Sequence, residues 1–342
     1  MRTPSSSRGR LVVCFALVVS VAACRGTPPR ATAPAPTRGP TAPPPAAGPQ
    51  PAPPPASQPV AAAAPASAPA PAVATAAAPA PAAALKRLRV AVNGPLETAV
   101  VREVGAELGP RLVQVIARVL VWWVSVPGDL VRGDQMEAIY QERAGEDPIV
   151  HAVHYRSQKH GRTFRAYRFT PAGAHWPHHY SPEGDELELR FTHPPLADYE
   201  QVTALMRDGR GHKGVDFKTP VGTPIRAPFD ARVVRTNWHF KGNGNSLDLQ
   251  EVGGWGVTAL FLHLAEPPSV AVGAQVTRGQ VVAKSGNTGH SFAPHLHYQI
   301  MHGPKVLDPF AALPTHRRKL EAGDKAPFAT EMARLDQLLG GP

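Results

Sequence analysis

The chain has 342 residues, with 40 prolines, 2 cysteines, 6% aromatic residues and a formal net charge of +10. Both thiols, Cys14 and Cys24, lie at the extreme N-terminus, which excludes a disulfide framework. The positive balance says nothing about fold, but it points to an acidic partner.

The first 23 residues read as an export signal. Arg2, Arg8 and Arg10 form a basic head, and Leu11 to Val21 is an apolar run too short to span a bilayer as a helix. The run ends in Val21-Ala22-Ala23-Cys24, which resembles a bacterial lipobox. That resemblance implies cleavage before Cys24, lipidation of its thiol and attachment to a membrane. An ordinary signal peptide cleaved after a small-residue site is the alternative. Arg25, rather than Asp, follows the cysteine, which by the usual bacterial sorting pattern points to the outer membrane, facing the periplasm. An exported chain meets the carboxylate-rich cell wall, so peptidoglycan and not nucleic acid is the expected acidic partner.

Residues 24–84 form a Pro/Ala-rich tract in which nineteen prolines lie between Pro28 and Pro81 without one acidic residue. It has no aromatic residue and only Val60 and Val73 as branched aliphatic ones, so a disordered tether is expected. At about 3.1 Å per residue such a tether reaches up to roughly 190 Å.

Residues 85–200 read as an α+β domain. Pro95-Leu-Glu-Thr98 opens a helix that Leu108-Gly-Pro110 is expected to stop. A second helix from Arg111 carries Leu112, Ile116, Val119 and Trp123 on one stripe, a core-packing pattern. His151 to Phe169 alternates as a hairpin around Lys159-His160-Gly161. Residues 201–315 read as a mainly antiparallel β domain, with strands at 231–238, 246–252, 257–264 and 295–301 separated by Gly/Asn-rich turns. Residues 316–342 form a tail in which 331–339 is a short amphipathic helix.

Histidine carries the chemistry. His212-Lys-Gly-Val-Asp216 sets an imidazole and a carboxylate four residues apart. His295-Leu-His297 puts two imidazoles on one face of a strand, because side chains at i and i+2 point the same way. His263 sits in the apolar strand Leu260-Phe-Leu-His-Leu264. Two imidazoles and a carboxylate suffice for a catalytic zinc that keeps one position open for water. No His-Glu-x-x-His helix, Cys-x-x-Cys pair or Gly-rich phosphate loop competes. His175, His178, His179 and His193 crowd the segment ahead of these motifs. They read either as a Pro/His-rich interdomain loop or as a source of one residue that covers the metal site.

Residues 211–310 resemble the lysostaphin/LytM-type zinc endopeptidases, which cut peptidoglycan peptides. The resemblance rests on Gly211-His-Lys-Gly-Val-Asp-Phe217, Thr219-Pro-Val-Gly-Thr-Pro-Ile225, Phe261-Leu-His-Leu264, Ser285-Gly-Asn-Thr-Gly289, Ala293-Pro-His-Leu-His-Tyr298 and Asp308-Pro309. It implies a groove over a β-sheet, with His212, Asp216 and His297 as ligands of one zinc and His295 and His263 as catalytic histidines that do not hold the metal. The N-terminal domain resembles the accessory domain that precedes such peptidases in Gram-negative envelope proteins, through Pro127-Gly-Asp-Leu-Val-Arg-Gly-Asp134 and Arg165-Ala-Tyr-Arg-Phe169. Relatives usually carry a Ser-Ser…Arg-x-His-Pro stretch before the first ligand, and Tyr199 to Gly211 lacks it. Arg210 does match and is the candidate substrate-binding residue. The implied function is hydrolysis of stem peptides or cross-links by a lipid-anchored envelope enzyme. The alternative is a catalytically silent module of the same fold that binds the wall or activates an amidase, which would be expected to lack part of the metal set.

Overall fold

The computed structural model describes residues 84–206 and 211–340. The export segment, Cys24, the Pro/Ala-rich tract and Arg210 lie outside the described residues.

The N-terminal part is built on five antiparallel strands, β1 (Leu85–Val92), β2 (Asp134–Gln141), β3 (Ile149–Ser157), β4 (Arg162–Phe169) and β5 (His178–Tyr180), in that spatial order. Helices α1 (Leu96–Val104) and α2 (Gly109–Leu120) join β1 to β2. Strand alternation sends Leu88, Val90, Met136, Ala138, Val153, Tyr155, Phe164 and Ala166 to one face, where α1 and α2 close a core over them. The Gly109-Pro110 pair starts α2 instead of stopping a helix. A proline in the first turn loses no intrahelical hydrogen bond, so the same dipeptide serves either end.

The opposite face, with Ile139, Ala152, Tyr167 and Tyr180, is covered by the last helix of the chain, Ala322–Leu339, through Phe328, Leu335 and Leu339. The predicted short helix over 331–339 is therefore longer, and it packs on the N-terminal sheet. Pro327 hides its first turns from a sequence reading, and contacts of Phe328 with Tyr167, Phe169 and Tyr180 hold them.

Between these pieces the chain forms β6 (Arg190–Phe191), β7 (Gln201–Ala204), β8 (Val215–Lys218), β9 (Pro224–Arg226), β10 (Ala231–Thr236), α3 (Phe240–Asn243), β11 (Asn245–Glu251) and β12 (Val257–Leu264). It continues through β13 (Gln275–Val276), β14 (Val281–Lys284), β15 (His295–His302), β16 (Lys305–Leu307), α4 (Pro309–Ala312) and β17 (Thr315–His316). Seven of these strands make an antiparallel sheet in the order β13-β10-β11-β12-β15-β8-β7, and β16 also pairs with β15. Its buried face carries Val215, Phe217, Leu247, Leu249, Ala259, Phe261, Leu296, Tyr298 and Ile300.

Trp122, just after α2, packs its ring edge-on to Phe310 at 5.4 Å, and Phe310 stacks on Phe191 at 4.6 Å. Strands β6 and β17 pair with each other as the chain leaves and re-enters the N-terminal part. Among the described residues no helix is long and apolar enough to cross a membrane.

Candidate active site

The site is assembled on three neighbouring strands. In β15, Leu296, Tyr298 and Ile300 fill the core, so His295 and His297 face the other way. The ladder sets His297 opposite Asp216 and His295 opposite Lys218 on β8. His212 precedes β8 and turns back to the same point. Gly214 makes that turn possible: a Cβ there would lie 2.5 Å from the Tyr298 carbonyl oxygen and 3.0 Å from the His297 ring.

His263 reaches the site by a different device. Continued alternation after Phe261 would send it into the core. Instead, the β11–β12 register shifts between Asn245 and Leu247, and His263 adopts φ 63°, a conformation rare outside glycine. Leu264 takes the core position. The His263 ring lands 4.8 Å from that of His295 and 6.2 Å from that of His297. The sequence reading of His263 as an ordinary strand residue missed this bulge.

Three donor atoms meet. His212 Nε2 is 3.1 Å from His297 Nδ1, His297 Nδ1 is 2.9 Å from Asp216 Oδ1, and His212 Nε2 is 3.2 Å from Asp216 Oδ1. A tetrahedral zinc about 2.0–2.1 Å from each nitrogen and oxygen spaces its ligand atoms about 3.3 Å apart, so this triangle and this donor chemistry fit such an ion. Burial alone would raise the Asp216 carboxyl, but hydrogen bonds from His212 and His297 and their proximity hold it far below the usual carboxylate range.

The other two histidines are pinned. His295 Nδ1 lies 2.8 Å from the Ala293 carbonyl and 3.1 Å from Ser291 Oγ. His263 Nδ1 lies 2.9 Å from the Thr288 carbonyl. A carbonyl only accepts, so each Nδ1 carries the proton and donates it, and in the neutral ring Nε2 keeps its lone pair. Burial lowers the His263 pKa to about 4, against the opposing hydrogen bond to Thr288, and the nearby His295 and His297 rings lower it further. It is therefore neutral at neutral pH. The carbonyls of Thr288 and Ala293 and the Ser291 hydroxyl are parts of the site that sequence reasoning did not single out. Their only signal was their place in the 285–289 and 293–298 segments.

His175, His178, His179 and His193 go elsewhere. His175 packs against Trp176, and His193 Nε2 lies 3.2 Å from Arg278 Nη1. His178 belongs to a buried cluster with Glu186 and Glu188. That cluster already has its cation: Arg190 Nε donates to Glu186 Oε1 at 3.0 Å, and Arg190 Nη2 donates to His178 Nε2 at 3.0 Å. With Nε2 accepting, neutral His178 carries its proton on Nδ1, the atom that faces the carboxylates, and offers no lone pair to a metal there.

Residues 210–309 match the family model described as "Peptidase family M23". The glycyl-glycine endopeptidase ALE-1 of Staphylococcus capitis is 43% identical over 98 residues, covering 28% of this chain and 25% of that protein. The peptidoglycan DD-endopeptidase ShyA of Vibrio cholerae is 27% identical over 246 residues, covering 68% of this chain and 55% of that one. The solved catalytic domain of lysostaphin from Staphylococcus simulans aligns at 32% identity over 36% of this chain and 90% of its own, with a TM-score of 0.28. The chain spans between a quarter and a little over half the length of these two relatives. Residues 210–309 of this chain form a domain of peptidase family M23.

Proposed function

We propose that the chain is a zinc-dependent endopeptidase that hydrolyses peptide bonds in peptidoglycan stem peptides or cross-links. The observation that carries this reading is the pairing of two carbonyl-pinned histidines with a His–His–Asp triangle sized for zinc. The peptidoglycan DD-endopeptidase relative favours the wall as substrate.

His212, Asp216 and His297 would hold the metal, which when bound polarises the scissile carbonyl and acidifies a water. His295 Nε2 accepts that water's proton and delivers it to the leaving amine, while Ala293 and Ser291 keep the ring in the tautomer that makes this possible. His263 Nε2, also a lone-pair atom, orients the water by accepting a hydrogen bond. An oxyanion contact from His263 would need the protonated ring, which burial disfavours. Of the two roles open to His263, water orientation therefore fits better.

The same reading includes anchoring through a lipid on Cys24, periplasm-facing at the outer membrane, with the Pro/Ala-rich tract as tether to the wall. More than one acyl chain gives stable membrane attachment. Palmitate labelling that persists in Cys24→Ser would refute the anchor. For the activity, purified cross-linked peptidoglycan is incubated with the zinc-loaded mature chain and the products are identified by mass. Release of uncross-linked muropeptides is expected. Unaltered peptidoglycan in the presence of bound zinc would refute the reading.

A further inference from the structure

A recess of about 80 Å³ lies between the N-terminal sheet and the sheet that carries the active site. Arg118 of α2, Arg143 just beyond β2, and Arg168 and His179 of β4 and β5 line one side, with Gln201 and Lys218 of β7 and β8 on the other. Three of its four cations are answered locally. Arg118 Nη1 is 3.0 Å from Asp147 Oδ2, Lys218 Nζ is 2.7 Å from Glu200 Oε1, and Arg143 pairs with Glu146.

Arg168 is the exception: its side chain has no hydrogen bond, ion pair or ring contact among the described residues. It follows Phe164 and Ala166 on the sheet face that α1 and α2 cover, a place where another apolar residue would be expected. Burial lowers its pKa, with the negative charge of Glu200 acting against the shift. Its cross-strand neighbour His179 offers no counter-charge, because Nε2–H is donated to the Val150 carbonyl at 3.0 Å and burial, then Arg168, lowers its pKa to about 3. Glu188, also on the wall, is pushed up to about 7 by burial, which weakens it as a counter-ion. A half-buried guanidinium without a partner costs free energy until an anion joins it.

One residue of the recess, Lys218, lies on the sheet face that carries the active site. Lys218 stands opposite His295 in the ladder and two residues from Asp216, so all three share one face of the sheet. Gln201 stands opposite Lys218 on the edge strand β7. At about 3.3 Å per residue, the recess begins some two residues along an extended chain from Asp216.

We propose that this recess binds a carboxylate of the peptide substrate, with Arg168 as its direct partner. The proposal rests on the reading of the chain as a wall-peptide hydrolase and names a specificity subsite for it. The guanidinium fork matches a carboxylate in two parallel hydrogen bonds. Lys218 and Arg118, each already paired with a carboxylate, flank the Arg168 guanidinium without competing for its ligand.

Two probes test it: a wall stem peptide with free carboxylates, and the same peptide with those carboxylates amidated. Their binding to the zinc-loaded mature chain is measured by titration calorimetry for the wild type, Arg168→Gln and Arg168→Lys. The wild type is expected to bind the free peptide roughly tenfold to a hundredfold more tightly than the amidated one, the scale of a charge-assisted hydrogen bond. Arg168→Gln should abolish this preference, and Arg168→Lys should keep part of it. Equal affinity of the wild type for the two probes, or a preference that survives Arg168→Gln, overturns the subsite. If Arg168→Gln does not fold, the wild-type comparison and the Lys variant decide. Hydrolysis is scored separately: preference without hydrolysis sinks the proposed function and leaves the subsite standing, and hydrolysis without preference does the reverse.

Discussion

His297 Nδ1 and Asp216 Oδ1 lie 2.9 Å apart because β15 and β8 set the two residues directly opposite each other. Their meeting depends on backbone register and on no flexible segment. A one-residue slip of either strand would send its side chain to the core face and destroy the pair. His212 is held less directly, by a loop that passes under Tyr298 at Gly214.

The metal is the first test. His212→Ala, Asp216→Ala and His297→Ala should each reduce bound zinc from about one per chain to a small fraction, since three protein ligands are the minimum for a catalytic site. Metal analysis after gel filtration reads the outcome. Full occupancy in any one variant would remove that residue from the ligand set.

His295→Ala and His263→Ala should keep zinc and fold but lose activity by roughly 10² or more, the usual scale for groups that move or orient protons. The His263 variant has a second readout. Its left-handed backbone is unfavourable for any L side chain without a local hydrogen bond, so His263→Gly should be at least as stable as His263→Ala in thermal unfolding. A less stable glycine variant would contradict the strain assigned to the bulge.

Gly214→Ala places a methyl 2.5 Å from the Tyr298 carbonyl oxygen and 3.0 Å from the His297 ring. Overpacking of this kind costs about 1–3 kcal/mol. A fall in thermal midpoint together with weaker zinc retention is expected. An unchanged midpoint and metal affinity would show that the loop passes β15 at a greater distance.

His178 and His179 each add a pH-dependent contribution to stability. Burial comes first, followed by Arg190 for His178 and Arg168 for His179, and the two pKa values fall to about 2 and about 3. The folded state therefore holds fewer protons than the unfolded one, whose histidines titrate near the ordinary 6.5. The contribution of each of these two histidines is flat above that value and declines as pH falls below it, by up to about 1.4 kcal/mol per pH unit. Denaturant midpoints between pH 7.5 and 4.5 should show the decline, and His179→Gln should make it shallower. A His179→Gln profile as steep as the wild type would remove that residue from the linkage.

Leu335 is fully buried between the C-terminal helix and the N-terminal sheet. Leu335→Ala should destabilise the chain by about 2–5 kcal/mol. The effect is read in the denaturant midpoint, and a change under about 0.5 kcal/mol, the usual surface-substitution scale, would mean the helix is not part of this core.

Much of this protein was legible from its sequence. The strands over β10, β11, β12 and β15 follow from alternation. His295 and His297 share a face because a strand repeats every two residues. These are local properties, set by backbone geometry within a few residues. Other features needed the folded chain. Residue 297 meets residues 212 and 216 only through pairing of strands some eighty positions apart, which no local pattern encodes. His263 enters the site through a bulge that its apolar neighbours conceal, since a register shift costs one unpaired residue and leaves no trace in composition. Pro327 masks the first turns of the last helix, which hydrophobic burial against Tyr167 and Tyr180 holds. That Arg168 has no ion-pair partner among the described residues is visible only once α2, β4 and β8 converge, because whether an arginine has a partner depends on every element that packs around it.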